Sequence, residues 1–189
     1  MQTLGLDGAP PPEPWYKLWV WPDVTEPEAA VSAARNGAIG SAAIGVLTSV
    51  FGTMATGPAA LFDGAFFLLA AIGIRQLSFP ASAMALLLYV VKQAASAQHG
   101  QSPGVIGLAL SLLLVGAVRA AWVALRMSAQ ERAQIANDSP VASWTERAFQ
   151  QMGSPLWRKM RILFNIAMML YFLLLLTGLV VLMAGLVPQ

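Results

Sequence analysis

The chain has no cysteine. That removes disulfides, thiolate nucleophiles and thiolate metal sites together. It has a single histidine, His99, so no zinc or haem site built from several imidazoles is available within it. Charge is scarce as well: Asp, Glu, Lys and Arg make up 11% of 189 residues, against about 25% in an ordinary soluble domain. The sequence carries no phosphate-binding loop, dinucleotide fingerprint, serine nucleophile elbow or metalloprotease helix. A Ser-His-Asp arrangement would have to bring His99 against a serine and Asp63, and nothing in the spacing does so. With no carboxylate or second histidine beside it, His99 is expected to be a solvated loop residue. The expectation is a protein that is not an enzyme and uses no cofactor and no metal.

What the chain does have is apolar length. Hydrophobic residues account for 57% of it, and the mean hydropathy is +0.64. These residues come in long runs, the pattern of a chain whose solvent is lipid. The expected fold is all-α: an integral membrane bundle of about five transmembrane helices with an amphipathic surface helix on the cytoplasmic side. Residues 1–35 hold no apolar leader core, so the first hydrophobic run is expected to stay in the mature protein.

Residues 1–25 form a proline- and tryptophan-rich segment with Pro10, Pro11, Pro12 and Pro14, extended or disordered at its start. Trp15, Tyr16, Trp19 and Trp21 follow. Such rings either lie in the headgroup layer or pack on a neighbouring protein, since both use the same amphipathic physics. Thr25 reads as a helix cap, with Pro27 in the first turn and Glu28 completing a capping box. Spans are expected at 36–54, 58–74, 79–95 and 105–126. Gly57-Pro58 breaks the first from the second, and Arg75-Gln76-Leu77-Ser78 is a tight hairpin. In the first span Gly37, Ser41, Gly45 and Ser49 recur every four residues and form a face where another backbone can approach closely, in this chain's own bundle or in another chain.

Residues 127–154 read as a cytoplasmic linker. Within it, residues 140–152 place Val141, Trp144, Ala148, Phe149 and Met152 on one apolar face too short to cross, so this helix lies on the membrane or docks on a partner. Residues 155–189 hold the fifth span, opened by the basic aromatic anchor Trp157, Arg158, Lys159 and Arg161. Of the eleven Lys and Arg, Lys17, Arg35, Arg75, Arg126, Arg132, Arg147, Arg158, Lys159 and Arg161 fall on what five crossings make one side. That places the N-terminus in the cytoplasm and the C-terminus outside, in a bacterial inner membrane.

Asp63, Lys92 and Arg119 lie within predicted spans, where an unpaired charge costs about 2.5–3.5 kcal/mol. Asp63 stands 14 residues before Leu77 and Lys92 15 after it. Two antiparallel helices joined at Leu77 therefore hold them at equal depth, and the spacing predicts an ion pair. Arg119 either snorkels toward the interface or reaches for Asp63. Asn165 and Tyr171 are expected to hydrogen-bond between helices. The pair is either a structural lock on helix register or a proton or ion relay.

From Arg35 to about Met127 the chain resembles a group of small bacterial inner-membrane proteins with four helices. The likeness rests on residues 35–52 (RNGAIGSAAIGVLTSVFG), 61–74 (LFDGAFFLLAAIGI) with Ser78, 88–93 (LYVVKQ) and 116–122 (GAVRAAW). In that group an acidic residue opens the second helix, a lysine closes the third and an arginine sits in the fourth. Asp63, Lys92 and Arg119 match those positions. The group has no assigned activity, so the resemblance implies topology and no chemistry. The functional expectation is an accessory membrane subunit contacting lipid and other membrane proteins or itself, with no nucleic acid. The alternative is a small ion or solute carrier built on Asp63 and Lys92.

Overall fold

The structure is a computed structural model that describes Val24, residues 26–98, residues 104–135 and residues 155–185. Every described element is helical. Helix α1 runs Pro27–Leu47, continues through a π-helical turn at Thr48–Gly52 and ends in the single turn Thr53–Thr56. Helix α2 is Ala59–Arg75, α3 Phe79–Gln98, α4 Gly104–Ile135 and α5 Pro155–Gly185. Four helices are long and apolar enough to cross a membrane: Pro27–Ala55, Phe79–Ala97, Gly104–Gln130 and Met160–Gly178. Helix α2 has 17 residues and is about 25 Å long, a little under the usual span.

The first four helices close into a ring in which each packs on its chain neighbours and α1 also packs on α4. Helix α5 lies outside the ring, against α2 and α3. Contacts fix the directions. Gly45 meets Gly64 and Leu68, Gly37 meets Ala117, and Gly73 meets Phe164. Hence α1, α3 and α5 are parallel to one another and antiparallel to α2 and α4. The core is aromatic and aliphatic: Phe66, Phe67, Ile74, Leu88 and Leu114 are fully buried, and Met168 and Phe172 of α5 press on them.

The small-residue face is used up inside this bundle. A period of four drifts about 40° per step on a helix of 3.6 residues per turn, so a four-residue repeat winds around the axis. One end therefore serves a different neighbour from the other. A Cβ on Gly37 would lie 2.3 Å from the Cβ of Ala117 on α4, whereas one on Gly45 would lie 2.9 Å from the carbonyl oxygen of Gly64 on α2. Between them Ser41 Oγ donates to the carbonyl of Phe67 at 2.7 Å. Ser49 faces Gly64 from within the π-helical turn, whose carbonyl at Ser49 accepts the hydroxyl of Thr53.

Two local expectations need correction. Glu26, not Thr25, is the N-cap residue of α1, and no side chain caps it. With Pro27 in the first turn one orphan N–H is already absent, so the cap is less needed. Helix α4 does not stop at Arg126 but runs on to Ile135, through residues expected in the linker. Gln130, Glu131, Arg132 and Gln134 are good helix formers and nothing there breaks the helix. The π-helical turn in α1 had no forewarning in the apolar pattern. The amphipathic segment 140–152 with Trp144, together with Trp15, Trp19, Trp21 and His99, lies outside the described residues.

Candidate functional site

Asp63 sits on the first turn and a half of α2, on the face turned to α3. The α2–α3 hairpin sets its depth against α3. Helix α2 ends in a Schellman motif: Ser78 N–H donates to Gly73 at 3.0 Å and Leu77 N–H to Ile74 at 2.9 Å, with Leu77 at φ 54°. Leucine is a rare occupant of this left-handed position, and it is held there by packing against Val24, Ala30, Ala33 and Ala120. The tight turn leaves no slack, so the equal spacing of Asp63 and Lys92 about Leu77 becomes equal depth. Lys92 Nζ donates to Asp63 Oδ2 in an ion pair.

The pair rests on the aromatic layer. Phe67 meets Tyr89 edge to face at 6.4 Å, and Phe66 meets Phe67 at 5.8 Å and Tyr171 at 5.6 Å. It is not sealed: the side chains of Lys92 and Asp63 keep 32% and 23% of their surface exposed. Other polar groups lie close to this depth. Gln93 Nε2 donates to Tyr89 Oη at 2.8 Å, and Tyr89 Oη donates to the carbonyl of Gly107 at 3.2 Å. Ser111 Oγ also donates to Gly107, at 2.9 Å. Tyr171 Oη donates to the carbonyl of Phe62, next to Asp63, at 2.7 Å. Helices α2, α3, α4 and α5 thus each contribute to one polar layer in the half of the bundle away from the hairpin.

Asn165 hydrogen-bonds Ser78 at 2.8 Å, so both milder polar residues of α5 bind the bundle. Arg119 does not join the pair. It is half-buried on α4 and engaged in an interaction of its own. Twelve residues, about 18 Å, separate it from Gly107 at the depth of the polar layer, beyond the reach of an arginine. Arg161 is exposed at the hairpin end; Trp157, Arg158 and Lys159 belong to the first turn of α5, and their side chains lie outside the described residues. Tyr89, Gln93 and Gly107 were not anticipated. The four-residue spacing of Tyr89 and Gln93 was the available signal, since that spacing puts both on one helix face. Among the described residues no group of three or more His, Cys, Asp or Glu converges. Comparison of the chain with protein-family models, with curated proteins and with solved structures finds no match.

Proposed function

We propose that the chain is a non-enzymatic subunit of a bacterial inner-membrane assembly, crossing five times with its N-terminus in the cytoplasm and its C-terminus outside. The observation that carries this reading is the length of α4. Ile135 lies 13 residues beyond Trp122, so α4 continues about 20 Å past the level of that ring as a helix. The hairpin at the same end is only a tight turn. Val123, Ala124 and Met127 still pack on the cluster of Val24, Ala30, Ala33 and Ala120, so among the described residues about 12 Å of helix, residues 128–135, extends past these contacts with α1 and is what a partner would hold. The ion pair agrees with a static role, because Asp63 and Lys92 neutralise each other and lock α2 to α3. The small-residue face gives no support for a partner, since α2 and α4 occupy it.

The test is affinity purification at native expression in a mild detergent, after cross-linking from residues on the projecting end of α4. A co-purifying membrane protein or a discrete homo-oligomer is expected. A lone monomer overturns the proposal. The second reading, a small ion or solute carrier, draws on the partial exposure of the pair. It requires that Asp63→Asn abolish flux in proteoliposomes while leaving the fold intact; unchanged flux, or no flux in the parent protein, removes it.

A further inference from the structure

Val24 stands before the first helix, yet it is only 1% exposed. Its burial has a local cause. Pro27 opens α1, and the residue before a proline is held in extended backbone; Glu26 has φ −86° and ψ 141°. The chain therefore does not run straight into α1, and it turns at Val24. An apolar residue just ahead of a helix commonly packs on one a turn inside it. Here Val24 packs with Ala30 and Ala33 of α1 and with Ala120 of α4. Each alanine offers a single methyl, so the two helices leave room between them, and the branched side chain of Val24 fills it.

The same cluster holds the α2–α3 turn. Leu77 packs against it, and the φ of Leu77, 54°, lies in the left-handed region. Leucine has neither the freedom of glycine nor a side-chain hydrogen bond that favours this conformation. It persists where its surroundings over-determine it. On one side these are the bonds from Ser78 N–H to Gly73 and from Leu77 N–H to Ile74; on the other they are the valine and the alanines. The alanines are fixed in α1 and α4, one carbon from their helix backbones. Val24 comes from outside the helices, so it can leave while the bundle stays assembled.

We propose that Val24 is a latch on the α2–α3 turn. Seated among Ala30, Ala33 and Ala120, it holds Leu77 in the left-handed conformation and keeps the turn tight. Withdrawn, it lets the turn open. The chain ahead of α1 is thereby coupled to the turn that sets Asp63 level with Lys92, and such coupling acts in both directions. The latch is independent of what the protein assembles with.

The test is hydrogen exchange of the full chain in nanodiscs, read by mass spectrometry on peptides covering the turn, residues 73–80, and the middle of α3, residues 85–91. Val24→Ala should speed exchange of the turn about fivefold and leave the middle of α3 within about twofold of the parent. Leu77→Ala keeps the left-handed backbone but loses its grip on the cluster, and should speed the turn about tenfold. Leu77→Gly loses the same side chain but takes the left-handed conformation freely, so it should stay within about twofold of the parent. Adding Val24→Ala to Leu77→Gly should change nothing further. Parent-like exchange of the turn in Val24→Ala overturns the proposal. Equal acceleration of both peptides also overturns it, because Val24 would then be a packing residue for the whole bundle. So does a turn that opens as fast in Leu77→Gly as in Leu77→Ala, because the lost contact alone would then account for the effect. If circular dichroism shows Val24→Ala misfolded, Val24→Thr, of the same shape but with a hydroxyl in the apolar socket, carries the same comparison.

Discussion

Breaking the Asp63–Lys92 pair from either side should cost different amounts, and the difference follows from arm length. Lys92→Met leaves a carboxylate on a short side chain at the outer end of the aromatic core. Asp63→Asn leaves an ammonium on a four-carbon stem that can reach toward the nearer interface. A lone charge at a helix centre costs about 2.5–3.5 kcal/mol, and the exposure of 23% at Asp63 lowers this to about 2 kcal/mol for Lys92→Met. Asp63→Asn should cost about 1 kcal/mol. The double variant removes both charges and should cost under about 1 kcal/mol, so the coupling between the sites is about 2 kcal/mol. The measurement is unfolding in nanodiscs of the parent, both single variants and the double variant. Additive losses, with coupling below about 0.5 kcal/mol, would show that the pair does not lock α2 to α3. A larger loss for Asp63→Asn than for Lys92→Met would refute the arm-length reasoning alone.

Other consequences are as direct. A Cβ on Gly64 would fall 2.6 Å from the backbone carbonyl of Gly45, so Gly64→Ala should destabilise by about 1–3 kcal/mol, whereas Gly178→Ala, with nothing within 4 Å, should be silent in the same unfolding assay. Gly57 ends α1 at φ 86° and ψ −171°, a region essentially reserved for glycine, so Gly57→Ala should lose about 1–3 kcal/mol, and wild-type stability would show that the loop relaxes freely. Tyr171→Phe removes the hydrogen bond from α5 to Phe62 and should loosen α5 by about 0.5–1.5 kcal/mol, read as faster proteolysis at its ends. Reporters fused before Met1 and after Gln189 should appear on opposite sides of the membrane; finding both in the cytoplasm removes the odd number of crossings.

The breaks between the first three helices and the ion pair were legible because each depended on a local rule, whereas the end of α4, nine residues past Arg126, was not. Gly57 and the Arg75–Ser78 turn punctuate the chain, and once the turn is centred on Leu77, depth is counting. The hydrogen bonds of Asn165 and Tyr171 were legible because polar groups in apolar helices need partners. The partners of the small-residue face were not legible. A sequence shows that Gly37, Ser41, Gly45 and Ser49 recur, but which neighbour each meets depends on how the stripe winds around α1 and on where α2 and α4 stand. Nor was the π-helical turn at Thr48–Gly52 legible: it changes the hydrogen-bond ladder without interrupting an apolar run.

The two ends of the bundle treat charge in opposite ways, and depth explains why. At the hairpin end Arg35, Arg75, Arg126 and Arg161 are exposed and, among the described residues, without ion-pair partners. A cation at headgroup level needs no protein partner, because lipid phosphates and water supply the counter-charge. In the other half, Asp63 and Lys92 lie on the edge of an aromatic core, and the protein supplies the counter-charge itself. The partition is therefore a ruler: unpaired arginines mark where the membrane satisfies charge, and the paired residues mark where it does not. If that is right, adding an arginine at Ile106, exposed on α4 near the depth of the pair, should destabilise the protein by about 2–3 kcal/mol, while an arginine at the exposed Leu125 beside Arg126 should be tolerated. Equal tolerance at both positions would mean that the bilayer does not sit between these two levels.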